Sequence, residues 1–396
     1  MSLDSVCVFT ARHARTGDAH RRTMLVLLAA SGARVTEPEF ERCHEGETMS
    51  GEMPELYNAS YMKLTHQDAW VHDGDTSKAS GALRQVLIAE QKIVRCMLLS
   101  GRPFLLGRPG GVEVTAAMDW LHGRGVSATT MHRLHFNAGV KVPTVAAANE
   151  FARAHFQALN ASDLVVRWGL KRGQIWQPNK DDGSGGIGGG DALLAASGHW
   201  PRWVCTHLVL EPWEAYRLKI ESWTTALRGR TVLIVSSFNE TIRSQLHKFH
   251  SMDPIWGEAA PALLPRSARI KLVRPPLNLA NAASGDATWH DSLATLIRDV
   301  EAVGSFDLAL VSCGGIGMNL AVHIRHEMRR SAMYVGGVLQ LYFGVWGTRW
   351  GETTLSGTLP FQMHNKHAEN WTRPSDAEKP PSAKGLEKGA YWRRRS

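Results

Sequence analysis

Two short segments hold the residues best suited to chemistry. The first, Arg108-Pro-Gly-Gly-Val-Glu113, sets a guanidinium and a carboxylate on either side of Gly110 and Gly111. The second, Phe306 to Trp350, contains two glycine turns, Gly314-Gly315-Ile-Gly317 and Gly336-Gly337, each following a short apolar run. Strand, glycine turn and helix in that order bring backbone N–H groups to one point, which is how parallel sheets bind phosphate. Arg108 or Arg349 can neutralise a phosphate, and an arginine can do so bidentately. Gln340 lies between the second turn and Arg349. Trp350 suits stacking on a base or sugar, and equally a core position. Glu113 can hold a divalent metal or a ribose hydroxyl, or serve only as a dipole partner at the start of its helix.

A third group follows an apolar run, TVLIVS at 231–236. Ser237 and Asn239 can face a ligand from there, and Asn239 or Thr241 can equally cap the next helix. Other motifs exclude themselves. Leu320 occupies the place of the third glycine in a dinucleotide fingerprint, and no acidic residue ends the next strand. DDGSGGIGGG at 181–190 lacks the Lys-Ser/Thr ending of a phosphate-binding P-loop and reads as a surface loop. The 18 histidines contain no HExxH, and His323 and His326 read as ordinary helix-surface residues. No GxSxG elbow is present. Five scattered cysteines without a CxxC pair argue against a zinc or disulfide framework and for a reducing, cytoplasmic setting.

The elements that must position these groups are clearest in the second half. The spacing predicts strands at 231–236, 270–273, 308–311 and 332–335, alternating with helices at 240–250, 289–303 and 318–328. The first half reads less cleanly: a helix over 80–100, a strand at 103–107, helices at 114–122, 128–138 and 144–159, and a strand at 164–168. Alternating strands and helices argue for an α/β fold with a doubly wound, mainly parallel, Rossmann-like sheet. With 43% hydrophobic residues among 396, the chain can bury a substantial core. Residues 1–80 read as an N-terminal extension and 351–396 as a polar, basic, disordered tail. The body, 81–350, divides on this reading into an N-terminal half, 81–228, and a nucleotide-binding half, 229–350. The net charge of +8 sits largely in the two ends. The only signal-like run, Met24 to Ala30, is too short to span a membrane, which leaves room for peripheral membrane association.

Taken together, GRPGGVE at 107–113, LEPW at 210–213, WTTALRGRTVLIVSSFNETIRSQ at 223–245, FDLALVSCGGIGMNLA at 306–321 and GGVLQLYFGVWGTRW at 336–350 resemble a family. The resemblance is to bacterial and viral proteins related to glycosyltransferases of the GT-D fold, with an early Arg-x-Gly-Asp/Gly-x-Glu turn and a GG-x-x-Q-x-x-FG-x-x-G-x-RW ending. It covers residues 80 to 350. It implies a nucleotide-sugar donor, such as a UDP-sugar, and transfer of the sugar to a hydroxyl of a glycan or glycoconjugate, as in polysaccharide biosynthesis. In that family an Asp-x-Glu motif helps bind the donor and a divalent metal, Mn²⁺ or Mg²⁺. Here Gly111 stands at the Asp position and only Glu113 remains, as metal or donor ligand or as the catalytic base. The resemblance implies that Arg108, Gly110, Gly111, Ser237, Asn239, Gly314, Gly315, Gly317, Gly336, Gly337, Gln340, Arg349 and Trp350 surround the donor.

Two other classes compete. An adenosylmethionine-dependent methyltransferase would use Cys313 to Gly317 as its cofactor turn, but it expects an acidic residue where Val335-Gly336-Gly337 stands. A nucleic-acid-binding protein is supported by the positive charge alone, since basic and aromatic residues do not interleave along one stripe.

Overall fold

The computed structural model describes residues 81–166, 193, 196, 204–282, 284–347, 358–386 and 391–392. The N-terminal extension, the glycine-rich loop at 181–190, Arg349 and Trp350 lie outside the described residues.

Among the described residues, seven strands form one all-parallel sheet: β1 (Leu105–Gly107), β2 (Leu164–Val166), β3 (Val204–Cys205), β4 (Thr231–Ser236), β5 (Arg269–Val273), β6 (Leu308–Ser312) and β7 (Ser331–Tyr334), in the order β3-β2-β1-β7-β6-β4-β5. The central strands are continuous apolar runs because both faces are covered. Alternate residues supply two cores. Leu106, Val232, Ile234, Leu308, Leu310 and Met333 face one side, and Leu105, Leu233, Val235, Ala309, Val311 and Ala332 face the other.

The first face is covered by α1 (Gly81–Leu99) through Ile93, Val94 and Met97, and by α5 (Asn239–Phe249) through Ile242. The second is covered by α2 (Gly111–Leu121), α4 (Val145–Asn160), α6 (Trp289–Ala302) and α7 (Gly317–His326). Between α2 and α4 runs α3 (Ala128–Ala138), started by Ser127 accepting the Thr130 N–H and ended by left-handed Gly139. α6 begins with a reciprocal capping box between Thr288 and Asp291. The doubly wound α/β expectation therefore holds. The two halves of the body do not form separate sheets, because β7 pairs directly with β1 (Leu105 opposite Ala332).

Three expectations are corrected. The segment 358–386 is folded, not a disordered tail: it holds α8 (Leu359–Lys366), and Trp346 N–H donates to the Thr372 carbonyl at 2.6 Å. Its order comes from distant partners that a local reading does not see. Cys96 is disulfide-bonded, at odds with the reducing setting read from the scattered cysteines, whereas Cys205 and Cys313 are free and buried. His323 is buried rather than on the helix surface, and its Nε2 lies 2.9 Å from Glu301 Oε1.

Another histidine, His155 on α4, is fully buried, and neither ring nitrogen has a hydrogen-bond partner among the described residues. Burial pushes its pKa down to about 4. Because the unfolded ring titrates near 6.5, the unfolded chain binds more protons between those values, and stability rises with pH across that window. Acidification from about pH 6.5 to 4 should therefore remove about 3 kcal/mol through this ring. Urea unfolding of the parent and of His155→Leu tests this. The variant should lose much less stability over the window, and parallel losses would exonerate the ring.

Candidate functional site

In a parallel sheet, ligands collect outside the carboxyl ends of the strands, where successive connections leave in opposite directions. Here the chain leaves β1 toward β2, and β7 lies on its other side. The loops after β1, β7, β6 and β4, neighbours along this edge, enclose a cleft of about 370 Å³. That volume lies within the range of small-molecule sites.

Arg108 follows β1 and is 8% exposed. Its guanidinium lies against the Gly336 turn after β7, where a Cβ on Gly336 would strike it. Gly336 also has φ of 69°, so both backbone and space call for glycine there. After β6, Gly314 has φ of 70°, and a Cβ would overlap the Ala138 carbonyl at the end of α3. That close approach brings α3 into the cleft wall. Tyr334 fixes the same turn by donating its hydroxyl hydrogen to the Gly314 carbonyl at 2.9 Å.

Glu113, 6% exposed, sits on the first turn of α2. Its carboxylate accepts from its own N–H and from that of Val112. Burial raises its pKa, against these hydrogen bonds and the charge of Arg108, which lower it. The side chain thus caps its own helix and still borders the cleft. The charge of Arg108 also reaches two half-buried groups from the LEPW region. His207 is pushed down to about 4, by burial first and by Arg108 second. Glu211 is pushed up to about 8, by burial first and by Glu214 second, with Arg217 and Arg108 opposing.

The N-terminus of α5, after β4, is taken by the protein itself. Glu378 is fully buried, and its carboxylate accepts the N–H of Glu240 at 2.7 Å and of Thr241 at 3.2 Å, together with the Thr241 hydroxyl. The folded C-terminal segment thereby supplies the anion that a helix N-terminus attracts.

Of the residues expected at the site, Arg108, Gly110, Gly111, Glu113, Ser237, Gly314, Gly336 and Gly337 line this cleft. Four others do not. Gly315 packs against Val140 and Phe151, and Gly317 against Tyr334. Asn239 is buried, its Oδ1 accepting from Arg243. Gln340 is buried, its Nε2 donating to the Val345 carbonyl at 2.9 Å and closing a turn. The sequence reading missed Arg133 and Asn137 on α3, Phe238, Tyr334 and Glu378, and the aromatic pair Tyr391-Trp392. One usable signal existed. An aromatic pair in an otherwise polar tail is out of place in a solvated segment.

Glu113 is engaged with two amides and faces Arg108, and Glu378 is committed to α5. Among the described residues, no group of three or more His, Cys, Asp or Glu side chains could hold an ion. Among them, too, no helix is long and apolar enough to cross a membrane. Comparison with family models, with curated proteins and with solved structures returned no match.

Proposed function

We propose that the chain is a GT-D-like glycosyltransferase that moves a sugar from a nucleotide-sugar donor, such as a UDP-sugar, to a hydroxyl of a glycan acceptor. One observation carries this reading: Arg108, the glycine turns at 110–111, 314 and 336–337, and Arg133 converge on a single cleft at the carboxyl edge of a parallel sheet. Arg133 forms no ion pair among the described residues, so its charge is available to a ligand.

In the proposed reaction the acceptor oxygen attacks the anomeric carbon. The bond from that carbon to the diphosphate oxygen breaks, and the electron pair leaves with the nucleoside diphosphate. Arg108 and Arg133 would stabilise the charge developing on this leaving group. Glu113 is the base assigned to the acceptor proton. Its raised pKa makes it a stronger base than a solvated carboxylate, and it borders the same space as the two arginines. No observation favours the methyltransferase or nucleic-acid readings over this one.

Thermal unfolding with a panel of nucleotide sugars tests the proposal. A true donor at one hundred times its dissociation constant should add about 2.7 kcal/mol. Unchanged unfolding with every nucleotide sugar, with and without Mn²⁺, would refute the reading.

A further inference from the structure

The cleft is chemically bipolar. Its β1/β7 end is cationic, with Arg108 beside the Gly336-Gly337 turn. Its β4 end is aromatic. Phe238 follows β4, and its ring lies 5.5 Å from Tyr391 and 5.8 Å from Trp392. Tyr391 and Trp392 meet edge to face at 5.5 Å, and both are half-buried where they line the cleft. These two rings come from the end of the chain, not from the sheet edge. The same C-terminal segment is pinned nearby at Glu378 on α5 and at Ser382, whose N–H donates to the Ala280 carbonyl at 3.1 Å.

Strand order sets the separation of the two ends. The Arg108 guanidinium lies at the turn after β7, and β7 and β4 are two steps apart (β7-β6-β4), which at about 4.8 Å per step is about 10 Å. A lone phosphate cannot bridge such a gap, whereas an extended nucleoside diphosphate has a flat ring at one end and its charge at the other. The anion cannot bind at the aromatic end through α5, because Glu378 already takes the Glu240 and Thr241 amides. A second anion beside that carboxylate would be repelled. Rings, by contrast, accept the face of any nucleobase.

We propose that the C-terminal segment supplies the nucleobase subsite. The base stacks against Tyr391 and Trp392, with Phe238 backing them, and the diphosphate extends toward Arg108, Gly336 and Gly337. This rests on the nucleotide-sugar reading above and deepens it. It makes the end of the chain part of the binding site and assigns to it the recognition of the base.

The test uses the full-length chain, calorimetric binding of UDP, GDP, ADP, CDP and dTDP, and inorganic pyrophosphate as a ring-free probe. Tyr391→Ala/Trp392→Ala should weaken the best-bound nucleoside diphosphate by about ten- to a hundredfold, the scale of a lost base–aromatic stack. Pyrophosphate should bind that variant as it binds the parent. Tyr391→Phe/Trp392→Phe should restore nucleotide affinity. Equal nucleotide affinity in parent and alanine variant would overturn the subsite while leaving the nucleotide-sugar reading intact. Parallel loss of nucleotide and pyrophosphate would also overturn it, because the rings would then act through the fold. If the parent binds none of the five nucleotides, both the subsite and the underlying reading fall.

Discussion

Arg108→Ala should reduce sugar transfer by about a hundred- to a thousandfold, the cost of removing one preorganised group aimed at developing charge. The effect is expected to be large because this guanidinium is 8% exposed, in surroundings that screen its charge poorly. It is also held in place, against the Gly336 turn on one side and within the field of Glu113 on the other. Removing it takes away the cation that opposes the effect of burial on Glu113, so the Glu113 pKa should rise further. Arg108→Lys should recover only part of the activity, because an ammonium cannot reproduce a planar, bidentate fork. The measurement is kcat/KM for transfer alongside thermal unfolding. A well-folded Arg108→Ala protein with parental kcat/KM would remove this residue from the mechanism.

The largest stability effect is expected at Trp256. It is fully buried and stacks on Trp213 with centroids 5.2 Å apart and planes 14° apart. It also packs on Trp371 at 5.3 Å, and its Nε1–H lies 3.1 Å from the carbonyl oxygens of both Leu341 and Tyr342. One side chain thus ties the LEPW segment, the turn region after β7 and the C-terminal segment together. Trp256→Ala should cost about 3–5 kcal/mol, through lost transfer energy and the cavity left behind. Against a total stability of about 5–15 kcal/mol, that is a large share. Trp256→Phe keeps a ring but takes the indole donor from the Tyr342 carbonyl, while the Leu341 carbonyl still accepts the Gly344 N–H, and it should cost less, about 1–3 kcal/mol. Denaturant unfolding gives both values. A midpoint for Trp256→Ala equal to that of the parent would mean that the aromatic stack contributes little to the fold.

Much of the sheet was legible because its strands announce themselves. Thr231–Ser236 and Leu308–Ser312 are apolar but for the end residues Thr231, Ser236 and Ser312, as strands buried on two faces must be, and the expected bounds fall within a residue of the observed ones. β3 was not read, because two residues, Val204 and Cys205, carry no periodic signal. The tail was misread for a different reason. Its order depends on Glu378 reaching amides 137 and 138 residues away and on Trp371 entering an aromatic cluster, and neither contact is written in local composition. The site divides in the same way. Glycine turns after strands marked the binding edge, whereas Gln340, which looked like a ligand residue, spends its amide closing the turn to Val345.

The order of elements, the parallel sheet and the glycine turns at its carboxyl edge follow from the sequence by itself, because burial patterns and turn chemistry are local properties. The placement of β7 beside β1 belongs to the tertiary structure alone. Strand order is decided by how both faces of the sheet pack, and no local pattern encodes it. That single neighbour relation brings the Arg108 turn against the Gly336 turn, more than two hundred residues later, and makes one cleft of two motifs. Only folding, too, returns the chain end to line that cleft with Tyr391 and Trp392, because long-range contacts hold it there.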